Sequence, residues 1–334
     1  MLRIFSGLFV TLTLSSGLSF TRVTAQMLRP SMMFGDSTHR KPAFAKDPHV
    51  VWFEKRYLLY YSVPTGKDST GADRWGIGIA ESQDLSTWRK VAEIPPVADY
   101  ERKGFCAPGA LVRDGKVHLF YQTYGNGRSD AICHASSTDG IHFERNPTNP
   151  IFHPEISQWS CGRAIDADVV KFNNQYFLYF ATRDPAYRIQ QLGVAVAPAN
   201  TNFERQDWKL LSTNGPILKP DYPWEGECIE APSVIQRGNE LVMFYAGAYN
   251  NWPQQIGVAR STDGLHWERQ QTKPFLKNGD PGSWNASESG HPHLFTTPTS
   301  KTYLFYQGNN DKGKSWFLSN REVKWQNATP QLVN

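Results

Sequence analysis

The sequence predicts an all-β protein, a five-bladed β-propeller with about four antiparallel strands per blade, formed as a single domain by residues 26–334. Two observations predict this fold: a unit of roughly 60 residues recurs five times, and each unit carries the apolar run, polar turn and aromatic run of a β-hairpin. In addition, no segment after residue 25 shows helical periodicity over a useful length. Small sheets can bury their faces by stacking radially in a closed ring.

The repeat is clearest between residues 47–60 and 166–179, which align without a gap. In both segments an acidic residue precedes one tyrosine by ten positions and another by thirteen. Three further copies start at residues 106, 230 and 291, so successive starts are 59, 60, 64 and 61 residues apart. Near the end of three units a turn is followed by an aromatic residue that we expect to pack between blades: Trp88, Phe143 and Trp267.

Two features of this fold stay open. An open β-solenoid or a pair of sandwiches would also fit a repeat of short strands. In a closed ring, either residues 322–326 or residues 26–40 could pair across the junction between the first and last blades.

Composition excludes several classes of protein. With 40% hydrophobic and 13% aromatic residues among 334, the chain is neither disordered nor a long coiled coil. The net charge of +4 comes from 35 basic and 31 acidic residues that are interspersed, which argues against a nucleic-acid partner. The four cysteines, which lack C-x-x-C spacing, are compatible with two disulfides or with four free thiols: Cys106, Cys133, Cys161 and Cys228.

Residues 1–25 have the pattern of a secretory signal peptide. A basic start at Arg3 precedes the mostly apolar residues 4–18, and Val23-Thr24-Ala25 provides a small-residue cleavage site before Gln26. A membrane anchor is the alternative, although the apolar stretch is short for a span. We therefore expect a secreted or periplasmic protein with no membrane segment after cleavage.

Comparison of the five units points to one chemically unusual position. The residues that lead the units are Asp47, Cys106, Asp166, Glu230 and His291. Because the first strand of each blade lines the central channel, we expect these side chains to converge near one end of the axis. Solvated turn acids are the alternative, since Asp-Pro is common in turns. A pair of carboxylates across a pocket suits glycoside hydrolysis, in which one protonates the leaving oxygen and the other activates water.

The motifs around these acids resemble those of glycoside hydrolase family 43 and its five-bladed relatives, including family 117. The resemblance covers nearly the whole chain after residue 25 and rests on Lys46-Asp47-Pro48-His49, on residues 164–168 and on residues 229–232. It implies that Asp47 is the general base, that Asp166 modulates the pKa of the acid, and that Glu230 is the general acid. It also implies an inverting single displacement.

Two of these roles have alternatives. Asp168 lies two residues after Asp166 on the same strand face and could share the modulating role. Glu227 is a second candidate acid, and Glu227-Cys228 is similar to the Glu-Cys motif of the related invertase-like family. That family carries Asn-Asp-Pro, however, where this chain has a lysine before Asp47 and a proline after it. We prefer Asp166 and Glu230 because both are in register with the repeat.

The resemblance also implies a metal near the axis. Gly290-His291 matches a Gly-His pair that often holds a hydrated calcium in family 43. Imidazole is not a preferred calcium ligand, so the contact would pass through water, and a hydrogen-bonded structural histidine is an equal alternative. No cofactor is expected to be required. Family 117 assigns a histidine as proton donor, a role that His291 or His49 could take.

Further residues are expected to contact the substrate. Arg163 could bind a sugar hydroxyl or carboxylate, or instead form a salt bridge to Asp168 or Glu227. His49 and His291 would face the same pocket, as would Asp168 and Glu227 if they are not catalytic. Of the five aromatic residues in or beside loops, Trp75 and Tyr124 are the preferred contacts over the others: Trp159, Trp224 and Trp252.

The sequence as a whole predicts an inverting glycosidase that acts on plant or algal oligo- or polysaccharide fragments. The sugar could be arabinofuranose, xylose, galactose or anhydrogalactose. A glycoside phosphorylase and a non-catalytic carbohydrate-binding propeller are the two alternatives. The linkage, exo or endo action and the oligomeric state stay open.

Overall fold

The computed structural model describes residue 30, residues 32–67 and residues 71–333. Within these ranges the chain forms five four-stranded antiparallel sheets, each a blade of a propeller, and the predicted fold class is confirmed. The predicted signal peptide lies outside the described residues. In the described part of the chain, no helix has the length and apolar character needed to cross a membrane.

Each blade is a meander of four consecutive strands, of which the first lies innermost. The strands of the first three blades are β1 (Lys46–Phe53), β2 (Arg56–Lys67), β3 (Asp73–Ser82), β4 (Arg89–Ile94), β5 (Phe105–Arg113), β6 (Lys116–Thr123), β7 (Ile132–Ser137), β8 (Glu144–Arg145), β9 (Ile165–Phe172), β10 (Gln175–Arg183), β11 (Gln190–Pro198) and β12 (Lys209–Leu210). Those of the last two are β13 (Ile229–Arg237), β14 (Glu240–Gly247), β15 (Gln255–Ser261), β16 (Glu268–Arg269), β17 (Glu288–Thr296), β18 (Thr302–Asn309), β19 (Phe317–Gln326) and β20 (Thr329–Leu332). Short 3₁₀ turns occur at Asp99–Glu101, Gly127–Ser129, Arg205–Asp207 and Pro223–Glu225.

The aromatic residues after the turns pack between blades, as predicted. Their rings meet a ring of the neighbouring blade edge to face: Phe143 with Tyr60 at 5.7 Å, Trp267 with Tyr179 at 5.6 Å, and Trp88 with Phe305 at 6.2 Å between centroids. Such pairs add to the stabilisation that comes from burying the rings.

Glycine allows one of these turns to approach the adjacent blade closely. Gly140 has a φ of 74°, and its carbonyl accepts a hydrogen bond of 2.9 Å from the Tyr60 hydroxyl. A Cβ at this position would lie 2.4 Å from the side chain of Leu58, so a larger residue would push the two blades apart.

The junction between the first and last blades is covered by the N-terminal segment. Phe34 forms an antiparallel bridge with Leu318 of β19, and Phe44 forms a parallel bridge with Trp316. Residues 322–326 instead pair with β20 inside their own blade. Of the two alternatives for the junction, the structure therefore shows the one that uses residues before β1. All four cysteines are buried free thiols.

Each innermost strand contains a β-bulge that places a residue other than glycine at positive φ. The five bulge residues are Asp47 (52°), Ala107 (48°), Asp166 (54°), Ala231 (49°) and His291 (43°). This backbone region is sparsely populated for L-residues, so it needs support from its surroundings. In three blades a side chain on the second strand of the preceding blade accepts a hydrogen bond from the bulge amide: Gln307 from Asp47 (3.0 Å), Ser62 from Ala107 (2.8 Å) and Gln122 from Asp166 (2.7 Å).

The bulges correct the predicted register. Asp47, Asp166 and His291 do occupy equivalent positions, but Cys106 and Glu230 lie one residue earlier, opposite Gln122 and Ala246 of the adjacent strands. The prediction was wrong because it started the copies at Cys106 and Glu230 without regard to the position of the following proline. A proline follows the bulge residue in four of the five blades, at positions 48, 108, 232 and 292, and this pattern would have fixed the register.

Candidate active site

A pocket of about 190 Å³ opens at one end of the propeller axis, which we call the upper end. Four side chains that converge in it form the upper cluster: Asp47, Asp166, Glu230 and His291. All four come from innermost strands; Asp166, Glu230 and His291 are buried, and the side chain of Asp47 is 11% exposed. The predicted convergence of these residues is confirmed, although Glu230 reaches the pocket from the residue before the bulge.

His291 connects two of the three carboxylates. Its Nδ1 lies 2.9 Å from Oδ1 of Asp47, and its Nε2 lies 3.1 Å from Oε1 of Glu230. Both contacts favour a protonated ring, and they raise the pKa of His291 well above its usual value even though burial opposes this shift. An imidazolium group therefore stands between Asp47 and Glu230.

The two carboxylates that contact His291 are held in the ionised form. Burial disfavours the charge on Asp47, but His291 and Lys46 outweigh it and lower the pKa of Asp47. Burial also opposes the charge on Glu230, but hydrogen bonds from His291 and Gln254 lower the pKa of Glu230 below its usual value. Gln254 donates from Nε2 at 2.7 Å.

Asp166 behaves differently from its neighbours. Burial, together with the charges of Glu230 and Asp47, raises the pKa of Asp166 to about 7, although His291 acts in the opposite direction. Its Oδ2 atom is buried and has no hydrogen-bond partner among the described residues. The upper cluster therefore holds a protonated imidazole and one carboxyl group poised to carry a proton close to neutral pH.

Besides His291, three of the predicted substrate contacts lie in the pocket. Trp75 and Tyr124 form part of its wall, and Arg163 also lines it. The alternative for Arg163, a salt bridge to Asp168 or Glu227, is wrong: its Nε lies 3.5 Å from Oδ2 of Asp130, which follows a loop of the second blade.

Other predicted residues lie elsewhere. The side chain of Glu227 is 52% exposed and pairs with Arg188 at 3.1 Å, outside the residues that line the pocket. His49 and Asp168 lie below the pocket, where the channel narrows to a cavity of about 30 Å³.

The remaining aromatic candidates also lie outside the pocket wall. Trp159 is buried in the core, Trp224 stacks on Tyr245 with centroids 6.0 Å apart, and Trp252 is 78% exposed.

The surroundings of His291 do not fit a directly bound calcium ion. Both ring nitrogens already contact carboxylates, so neither has a free lone pair for a metal. Calcium also prefers six to eight oxygen ligands. The expected calcium near this histidine therefore stays a prediction to which no chemical step is assigned.

Several pocket residues were not predicted from the sequence. Gln190 donates a hydrogen bond from Nε2 to Oε2 of Glu230, and Gln254 donates to the other oxygen. Lys46 and Arg183 add positive charge to the lining. A signal existed for Lys46, which directly precedes Asp47, but the glutamines come from strand ends and loops with no motif of their own.

Comparisons with known proteins agree with this fold. A curated relative, a sucrose-6-phosphate hydrolase of Zymomonas mobilis, is 26% identical over 280 residues, which cover 78% of this chain and 48% of the relative. The chain thus spans about half the length of that protein. The crystal structure of a thermostable family-43 glycoside hydrolase superposes with a TM-score of 0.67 at 20% identity, covering 89% of this chain and 96% of the other. An α-L-arabinofuranosidase from Lactobacillus brevis superposes with a TM-score of 0.64 at 16% identity, covering 87% and 95%.

At such identities the superpositions show the fold alone. The family model for glycosyl hydrolases family 43 matches residues 41–329, which run from before β1 to the first residue of β20 and include the whole upper cluster. With three carboxyl groups converging at one end of this propeller, the chain belongs to glycosyl hydrolases family 43.

Proposed function

We propose that the protein is an inverting glycosidase whose proton transfers are carried out by Asp47 and Glu230. The observation that carries this proposal is the imidazole of His291, which stands between the two carboxylates at the floor of the pocket. Inverting enzymes need their two carboxyl groups far enough apart to admit a water molecule beside the sugar. A ring between the two groups keeps them from direct contact.

In the proposed reaction, Asp47 accepts a proton from the water that attacks the anomeric carbon. Glu230 delivers a proton to the leaving oxygen on the opposite face of the sugar. Because Glu230 is ionised in the free protein, it must first receive that proton. The proton sources that contact or adjoin it are His291, whose Nε2 is 3.1 Å away, and the carboxyl group of Asp166.

The proposed substrates are oligo- or polysaccharide fragments of plant or algal origin. The wall of the pocket combines the aromatic faces of Trp75 and Tyr124 with the guanidinium of Arg163, which suits a sugar ring and its hydroxyl groups. The candidate sugars are arabinofuranose, xylose, galactose and anhydrogalactose. Arabinofuranosides are tested first, because one of the structurally similar proteins is an arabinofuranosidase.

The test is a panel of aryl glycosides and defined oligosaccharides. Wild type is compared with Glu230→Gln and Asp47→Asn, and proton NMR follows the anomer that is released first. Removal of a general acid or base costs about 10²- to 10⁴-fold in rate, so both variants should be nearly inactive. Glu227→Gln is the matched control, because this exposed carboxylate pairs with Arg188 and lies outside the pocket.

The possible outcomes distinguish the proposed function from its alternatives. Release of the inverted anomer, lost in both variants and retained in Glu227→Gln, supports the proposal. Activity retained in Glu230→Gln and lost in Glu227→Gln would transfer the acid role to Glu227. A retained anomer would overturn the inverting mechanism. Sugar binding without turnover, unchanged in both variants, would identify a carbohydrate-binding propeller.

A second function, glycoside phosphorolysis, is favoured by one observation. Lys46, Arg163 and Arg183 line the same pocket as the carboxylates, and a phosphorylase needs such cations to hold phosphate. The panel is therefore run with and without inorganic phosphate, and sugar 1-phosphate is measured. Turnover that depends on phosphate would replace hydrolysis with phosphorolysis.

We also propose that the protein is exported, on the basis of the signal-peptide pattern in residues 1–25. Sequencing of the mature N-terminus after expression with the native leader tests this proposal. Cleavage before Gln26 supports export to the periplasm or the medium, whereas an intact Met1 in the cytoplasm contradicts it.

A further inference from the structure

A second cluster of titratable groups lies on the axis below the first. We call it the lower cluster: His49 on β1, Asp168 on β9 and His293 on β17. One ligand atom from each residue lies within 4.8 Å of the others, and all three side chains are buried. Nothing in the proposed glycosidase mechanism uses these residues.

Both imidazoles are oriented by backbone carbonyl groups. Nε2 of His49 donates to the carbonyl of Ala110 at 2.8 Å, and Nε2 of His293 donates to the carbonyl of Val50 at 3.1 Å. A carbonyl can only accept, so in each neutral ring the proton lies on Nε2 and the lone pair lies on Nδ1. Metal-binding histidines commonly use this arrangement, in which one nitrogen is anchored and the other is left for the ion.

The free lone pair of one ring has nothing to bind. Nδ1 of His293 is buried and has no hydrogen-bond partner among the described residues. A ring nitrogen that carries a lone pair and has no partner is the group with which histidine binds metals.

The carboxylate of the cluster has no cationic partner. Oδ2 of Asp168 accepts a hydrogen bond of 2.8 Å from the Val234 amide. In the described part of the chain, no Lys or Arg forms an ion pair with Asp168, so the acid is costly to bury without a cation.

In another buried histidine pair of the same chain, both ring nitrogens of one histidine have hydrogen-bond partners. Nδ1 of His118 lies 3.0 Å from Nε2 of His134, and the other nitrogen of His134 lies 3.1 Å from the amide of Asn146. Both ring nitrogens of His134 thus have partners. The lower cluster differs because an acceptor is left open next to an uncompensated acid.

We propose that His49, Asp168 and His293 bind a zinc-class divalent metal ion on the propeller axis. Two imidazole nitrogens and one carboxylate oxygen suit Zn²⁺ or a similar transition-metal ion, with water completing the coordination, whereas calcium would need a set of oxygen ligands. A cavity of about 370 Å³ below the cluster provides the entry path. The ion would connect blades 1, 3 and 5 across the channel, so its expected role is to stabilise the ring.

The test uses the full chain after chelation and dialysis. Calorimetric titration with ZnCl₂ should show one equivalent that binds at the lower cluster, and thermal unfolding should shift to higher temperature. Titration with CoCl₂ should give the visible bands of a low-symmetry nitrogen and oxygen site. In a crystal soaked with ZnCl₂, an anomalous peak should lie between the three side chains, and this measurement requires no variant.

Variants of the proposed ligands and of two other histidines test whether zinc binds at the lower cluster. Zinc affinity should fall at least about 100-fold in His293→Gln and in Asp168→Asn, because each removes a direct ligand. His134→Gln is the matched control for losing a buried histidine, and His291→Gln tests the upper cluster; both should keep the lower equivalent of zinc. The proposal is overturned if wild type binds no zinc, if His293→Gln binds it as tightly as wild type, or if the anomalous peak lies at the upper cluster.

Discussion

The two ends of the propeller channel hold similar residues in opposite electrostatic states. At the upper end, His291 is flanked by Asp47 and Glu230 and is protonated. At the lower end, His293 is anchored to a backbone carbonyl and is neutral. The two histidines are separated by one proline on the same strand, so their chemistry is set by the neighbours that the other blades supply.

This difference has a physical basis. Burial lowers the pKa of a histidine, and opposite charges or hydrogen bonds to the charged ring can reverse the effect. The upper end supplies three carboxyl groups and the lower end supplies one, which leaves the lower imidazoles as bases. One end is therefore suited to moving protons, and the other is suited to binding a cation.

The largest expected effect concerns Asp166. Replacement by Asn should lower kcat by about 10³-fold, because the carboxyl group beside Glu230 can no longer carry a proton. The same change should raise the melting temperature by a few degrees at pH 8, since a buried charge without a hydrogen-bond partner is removed. Steady-state kinetics and thermal unfolding measure the two effects.

Asp114→Asn is the control for that experiment, because Asp114 is exposed on a hairpin turn. It should leave both kcat and the melting temperature close to wild type. If Asp166→Asn lost stability and kept its activity, Asp166 would be a structural residue. Asp47 and Glu230 would then be the only acids of the upper cluster that take part in catalysis.

The second prediction compares His291→Gln with His293→Gln. Without the imidazolium, Asp47 and Glu230 repel each other and one must take up a proton, so His291→Gln should lower kcat by about 100-fold. His291→Gln should keep the rise in melting temperature caused by zinc, and His293→Gln should lose it. If both variants lost the response to zinc, the two clusters would act as one site.

The sequence predicted the fold and the convergence of the acids for reasons that the structure makes clear. The repeat of about 60 residues reflects one four-stranded blade, and the aromatic residues at 88, 143 and 267 pack between blades because each blade needs the same contact. A sequence repeat therefore reveals the residues that occupy equivalent positions in different blades. The convergence of Asp47 and Asp166 was predictable because they occupy the same position in different blades.

What escaped prediction depends on contacts between residues that are distant in the sequence. Gln190 reaches Glu230 from the preceding blade and Gln254 from a loop of the same blade, and no local pattern marks either residue. The relative pKa values of Glu230 and Asp166 also escaped prediction. A general acid is expected to have a raised pKa, but burial and the adjacent charges raise the pKa of Asp166, whereas that of Glu230 is lowered. Hydrogen-bond partners and neighbouring charges together decide this difference, and both are set by tertiary packing.

The third prediction concerns the wall of the upper pocket. Tyr124→Ala should raise KM for an oligosaccharide by about three- to tenfold and change kcat little, because an aromatic face binds substrate and transition state alike. Trp252→Ala is the control: Trp252 is exposed and lies outside the pocket lining, so KM should stay at the wild-type value. Equal effects of both variants would extend the binding surface beyond the pocket.

The smallest effect should come from Glu288, which lies behind the upper cluster and accepts a hydrogen bond of 3.0 Å from Gln307, the residue that also anchors the Asp47 amide. Burial raises the pKa of Glu288 from 4.5 to about 7, although Lys46 opposes the shift. Between these values the folded chain binds a proton that the unfolded chain has lost, so this contribution to stability is complete below about pH 4.5 and disappears as the pH rises through about 7.

Glu288→Gln carries no titrating proton at this position. Its melting temperature, relative to wild type, should therefore increase by a few degrees between pH 5 and pH 8. Thermal unfolding at steps of half a pH unit measures the change, and the surface variant Glu144→Gln should run parallel to wild type throughout. A constant difference across the range would show that Glu288 is ionised in the folded protein, with Lys46 as the partner that keeps it charged. In that case Glu288 would be a further buried and ionised carboxylate at the upper end. Its difference in protonation from Asp166 would then be due to the missing hydrogen-bond partner at Asp166 Oδ2.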